Sequence, residues 1–173
     1  LVGWVATFLL ERALKPRPRL TDRPAGAHAV HLGIWLALFG VMLLATRRPV
    51  LAVSLALLAW MLPVLVSNAK FTSLREPLVF TDLPFLPEAL RHPRLYVPFL
   101  GAWRGVLFVG ASAAVATGGW FLLRAWPVSD DWPGALPVAA ARGLPAAALL
   151  WSGTRRAGTP TLDPVADLQR WGL

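Results

Sequence analysis

The chain has 173 residues, 56% of them hydrophobic and only 15% charged, with a mean hydropathy of +0.56. Soluble domains carry about 25% charged residues. Uncharged apolar runs near the roughly 20 residues that cross a bilayer therefore mark an integral membrane protein. There is no cysteine, which excludes disulfides, Cys-ligated zinc and thiol nucleophiles. The net charge of +8 sits beside apolar spans, so it points to anionic lipid headgroups and not to nucleic acid.

The sequence predicts an all-α fold, a polytopic transmembrane helix bundle of about five spans with a short interfacial helix between spans three and four. Residues 1–10 are a first span or its remnant, too short alone for a crossing. With Leu1 in place of a starting Met, the chain reads as a piece of a longer protein, and no basic start or cleavage site marks a signal peptide. Glu11 to Ala27 is a basic, proline-containing loop in which no compact structure is expected.

The second span covers 27–46 and carries no formal charge. His28 and His31 share one helical face near its start. They read as interfacial side chains, because no carboxylate or third histidine is near in sequence to complete a metal site. Arg47-Arg48-Pro49 is a tight connection into the third span, 49–67, with Pro49 suited to a helix start and Pro63 inside it. The helix is expected to run on past Asn68 and Lys70 and to break near Pro77.

The stretch 67–101 is the long polar interruption of the chain, divided by Pro77, Pro84, Pro87, Pro93 and Pro98. Thr81 or Asp82 can cap a short helix reaching Leu90 or His92, lying in the membrane interface. The fourth span covers about 102–124, with Arg104 and Arg124 placed to snorkel at its ends. Gly101, Gly105, Gly110, Ala114 and Gly118 recur at four- or five-residue spacing, a pattern that lets helix backbones approach. A weaker fifth span, 135–151, contains Arg142 and Pro145, and the arginine should face the bundle or water. Residues 1–152 thus form a transmembrane domain and 153–173 a polar juxtamembrane linker.

The order Asn68-x-Lys70, then Arg75-Glu76-Pro77, then Thr81-Asp82-Leu83, continued by His92-Pro93-Arg94-Leu95-Tyr96, resembles the membrane region of lipoteichoic acid synthase-like proteins. These are bacterial phosphoglycerol transferases and related sulfatase-like enzymes. The specific part of the resemblance is confined to about residues 67–101. It implies a multi-pass domain of the bacterial inner (plasma) membrane, followed by an extracytoplasmic catalytic domain. The implied machinery is a metal-bound threonine nucleophile in that separate domain. No cofactor is therefore expected in this chain, and a divalent metal belongs to the missing catalytic domain. The implied partners are an anionic phospholipid and the protein's own C-terminal catalytic domain. The residues expected at the lipid headgroup are Asn68, Lys70, Arg75, Glu76, Asp82, Arg91 and Arg94. Lys70 and Arg75 would grip a phosphodiester. Asn68 would bond a glycerol hydroxyl, and Glu76 and Asp82 would orient the bases.

No nucleotide-binding loop, serine-hydrolase elbow or zinc-protease signature occurs. Two functions fit. One is the membrane-anchoring, lipid-presenting domain of a cell-envelope phosphoglycerol or phosphoethanolamine transferase. The other is a non-enzymatic small membrane protein, such as a transporter subunit or assembly factor. Two topology arguments disagree. The positive-inside rule puts the base-rich first loop, central stretch and tail in the cytoplasm, whereas the resemblance puts the tail outside. If 135–151 did not cross, the tail and the central stretch would lie on opposite sides.

Overall fold

The computed structural model describes residues 2–18, 23–79, 82, 84, 91–92, 101–122, 132–159, 161 and 163–172. Within them the chain is all helical, with no strand. The helices are α1 (Val2–Glu11), α2 (Ala25–Thr46), α3 (Pro49–Leu74), α4 (Ala102–Leu122), α5 (Trp132–Ala157) and α6 (Pro164–Trp171). Among the described residues, α2 and α3 are the two helices long and apolar enough to cross a membrane by length and composition.

The ends of these helices follow from local chemistry. Pro24 precedes α2, and Pro49 begins α3, where the missing N–H is no loss. Both long helices stop at an arginine in the left-handed region, Arg47 at φ 56° and Arg75 at φ 61°. Their N–H groups bond back to Leu43 O and Phe71 O, satisfying carbonyls that the helix end would otherwise orphan. Thus α3 runs past Asn68 and Lys70, as the sequence suggests, and ends just before Pro77. The helix α6 begins at Asp163, whose carboxylate accepts the N–H groups of Val165 and Ala166.

Close backbone approach occurs between α2 and α5, the most extensive helix contact among the described residues. A Cβ at Gly33 would lie 2.8 Å from Leu150 Cγ and 3.1 Å from Ala146 O. One at Gly153 would lie 2.8 Å from Val30 Cγ2 and 2.9 Å from Gly26 O. The pairing of early α2 with late α5 makes the two antiparallel. Gly119 of α4 packs on Leu51 of α3, and Gly3 of α1 packs on the Trp35 ring. Of the small-residue stripe on α4, Gly101, Gly105, Gly110 and Gly118 meet nothing within 4 Å among the described residues. Spacing identifies small residues on one face, but their neighbours depend on how the helix is rotated.

Two clusters form the core. Trp35, Ala56 and Trp60 pack with Trp4, Leu32 and Phe39 between α1, α2 and α3. Leu14, Val64 and Leu168 pack with Met61 and hold α6 against the body. The described part of the first loop is therefore ordered, in contrast to the sequence expectation. Leu14 is 1% exposed. The Asn68 amide donates to Ala13 O at 2.8 Å and accepts the Lys15 N–H at 2.8 Å.

These contacts bring the end of α1, the start of α2, the end of α3, the start of α4, the end of α5 and all of α6 to one end of the bundle. The opposite end carries Arg48, which is buried. Its guanidinium donates to Trp120 O at 2.7 Å and lies 4.0 Å over the Trp120 ring, capping α4. At 26 residues, α5 is about 39 Å long. It runs the length of the bundle, so the tail and the end of α3 share a side. The expected interfacial helix from Thr81 or Asp82 falls largely outside the described residues.

Candidate functional site

The sequence-nominated polar residues separate into distinct roles. Lys70 and Asp82 meet: Nζ lies 2.7 Å from Oδ2, and the same oxygen accepts the Val79 N–H at 2.9 Å. The pair ties the segment after α3 back onto the helix. Ser67 does the same from a fully buried position, its Oγ accepting the Leu78 N–H at 3.1 Å. Lys70 is thus already neutralised. Arg75 forms the left-handed end of α3, and Glu76 follows it, exposed. Asn68 holds the first loop through both ends of its amide. Arg91 is exposed. Arg94 lies outside the described residues. Of the two expected phosphodiester bases, Lys70 is paired with Asp82, while Arg75 closes the helix through its backbone N–H and keeps its side chain exposed.

A cleft of about 210 Å³ instead opens beside Asn68, lined by Lys15, Leu62, Leu65, Thr72, Arg104, Gly105 and Phe108. It lies between the first loop, α3 and α4. Leu62, Leu65 and Phe108 form an apolar wall, while Lys15 and Arg104 bring two cations to it. Neither cation has an ion-pair partner among the described residues.

A second polar group is shut inside. Arg23 Nη2 lies 2.7 Å from Glu11 Oε2, with side chains 1% and 0% exposed. His31 Nδ1 lies 3.5 Å from Glu11 Oε1, and His31 Nε2 lies 2.6 Å from Thr7 Oγ1. The carboxylate beside Nδ1 favours the tautomer with its proton there. Nε2 is then an acceptor, and Thr7 Oγ1 lies 2.6 Å from both Nε2 and Trp4 O, either of which can take its proton. The imidazole lies between Phe8, stacked at 4.5 Å, and Trp60 at 4.7 Å. Gly172, at φ 81°, covers Arg23, and a Cβ there would lie 2.5 Å from Nη2. Chemically this is a desolvated acid–base cluster whose charges balance only while all members stay in place.

No family description, curated protein or solved structure matches the chain.

Sequence reasoning treated Glu11 and Arg23 as loop charges and His31 as interfacial, and it treated Arg104 as an anchor. One signal for the buried cluster was available. Glu11 ends an apolar decamer and His31 sits within an apolar run, and intramembrane ionisable residues mark sites with partners. No local pattern joins Lys15 to Arg104, which come from separate elements. Among the described residues no group of three histidine, aspartate or glutamate side chains could hold a metal ion.

Proposed function

We propose that this chain is the membrane-embedded domain of a cell-envelope transferase of the sulfatase-like superfamily. It anchors that enzyme in the bacterial inner membrane and presents an anionic phospholipid. In this reading five helices cross the membrane and catalysis resides in a domain beyond these residues. The observation that carries the reading is convergence. The basic first loop, the polar end of α3, the start of α4 and the tail helix all gather at one end of the bundle. Headgroups would meet that end, and a domain following the tail would stand over it.

The reading places this end on the outer face of the inner membrane, against the positive-inside count. Arg12, Lys15, Arg17, Arg23, Lys70 and Arg75 crowd here, while Arg47 and Arg48 lie opposite. The absence of cysteine allows a direct test. Single cysteines at Ser73 and Thr159, both exposed, are treated in intact spheroplasts with a membrane-impermeant thiol reagent. Labelling of both is expected. Labelling only after lysis would place this end in the cytoplasm and overturn the reading.

A further inference from the structure

The cleft beside Asn68 differs from the partnered basic sites at its end of the molecule. Lys70 is neutralised by Asp82 and Arg23 by Glu11, while Arg155 lies 3.8 Å over the Trp151 ring. Lys15 and Arg104 line a common cavity, and neither has an ion-pair partner among the described residues. We infer that this cleft binds the phosphodiester of an anionic glycerophospholipid between Lys15 and Arg104, with an acyl chain laid along Leu62, Leu65 and Phe108.

This inference rests on the lipid-presenting reading and gives its lipid a site, the cleft between the first loop, α3 and α4. Two positive charges attract a headgroup of net negative charge. A zwitterionic headgroup would bring an ammonium next to Lys15 and Arg104 and be disfavoured. An arginine fork can hold two phosphate oxygens while a lysine acts as a point charge, so the pair suits a phosphodiester. A free phosphate would not use the apolar wall, whereas a hydrocarbon chain would gain from it. Asn68 fixes the rim, because its amide clamps the Lys15 backbone at 2.8 Å. The loop that carries one cation is thereby held against the helix that forms the apolar wall.

The test uses the full chain in nanodiscs of equal phosphatidylglycerol and phosphatidylethanolamine, followed by detergent extraction and mass spectrometry of the retained lipid. Wild type should retain phosphatidylglycerol selectively. The double variant Lys15→Gln/Arg104→Gln should lose that selectivity by about 20-fold. Arg155→Gln, a base at the same end outside the cleft, should keep it. Gly105→Leu supplies a variant without charge change. Gly105 lines the cleft, and a Cβ there meets nothing within 4 Å, so the helix tolerates it while the cavity fills. It too should lose the lipid. Competition with soluble glycerol phosphate should leave retention unchanged, and displacement by it would mean a simple anion site. Equal retention in wild type, the double variant and Gly105→Leu would overturn the cleft assignment alone. Wild type with no preference for an anionic lipid would overturn the lipid-presenting reading with it.

Discussion

Glu11 and Arg23 form an ion pair of 2.7 Å with both side chains closed to solvent, one at the end of α1 and the other just before α2. Removing one partner from a buried pair strands the other charge, at a cost of about 3–5 kcal/mol. Glu11→Leu and Arg23→Met should each sharply lower the unfolding midpoint in detergent. The double variant should recover most of the loss, because neither charge remains. Losses that simply add would show that the two residues act separately.

The α2–α5 contact should depend on glycine. At Gly153 an added side chain meets Val30 and the Gly26 carbonyl, which is backbone and cannot rotate away. Overpacking of this kind costs about 1–3 kcal/mol, and Gly153→Leu should reach the upper part of that range. Gly143→Leu is the matched control, since nothing lies within 4 Å of its Cβ. A cysteine pair crosslinking α2 to α5 should report the separation in the first variant alone.

Asn68 makes two hydrogen bonds to the first loop. Asn68→Ala removes both, for a loss of about 1–3 kcal/mol. The effect should be local. Protease cleavage within residues 12–18 should speed up while the remaining helices keep their protection. Asn68→Asp should restore only the bond from the Lys15 N–H, because a carboxylate cannot donate to Ala13 O.

Arg75 supplies backbone geometry. A left-handed residue with a Cβ is strained by about 1–2 kcal/mol relative to glycine. Arg75→Gly should therefore leave the fold intact or raise its stability by about 0.5–1 kcal/mol. Arg75→Val should lower it. If glycine abolished lipid retention at unchanged stability, the side chain would have a binding role after all.

Sequence reading reached the helical class, the positions of α2 and α3 and the extension of α3 past Lys70, because apolar length and proline placement are local properties. It also singled out Asn68, Lys70 and Asp82, with Asp82 set to orient the bases, but not the roles of Asn68 and Ser67. Those roles depend on which segment folds back onto α3, and no spacing within 67–82 encodes that Asn68 faces Ala13. The fate of α4's glycines was equally hidden. Gly119 touches Leu51 while Gly118 touches nothing, a difference of one residue that only helix rotation decides. The cleft and the buried cluster each join residues of α1, the first loop or α4 to others far along the chain.

The dominance of the α2–α5 contact has a consequence for synthesis. Thr46 leaves the ribosome long before Trp132, and at roughly 5–20 residues per second the gap is on the order of ten seconds. Through that interval α2 has α1 and α3 beside it but not α5, and the notch formed by Gly26 and Gly33 stands uncovered. The bundle is therefore completed from its last long helix, and any agent that occupies that notch early would compete with the chain's own closing step.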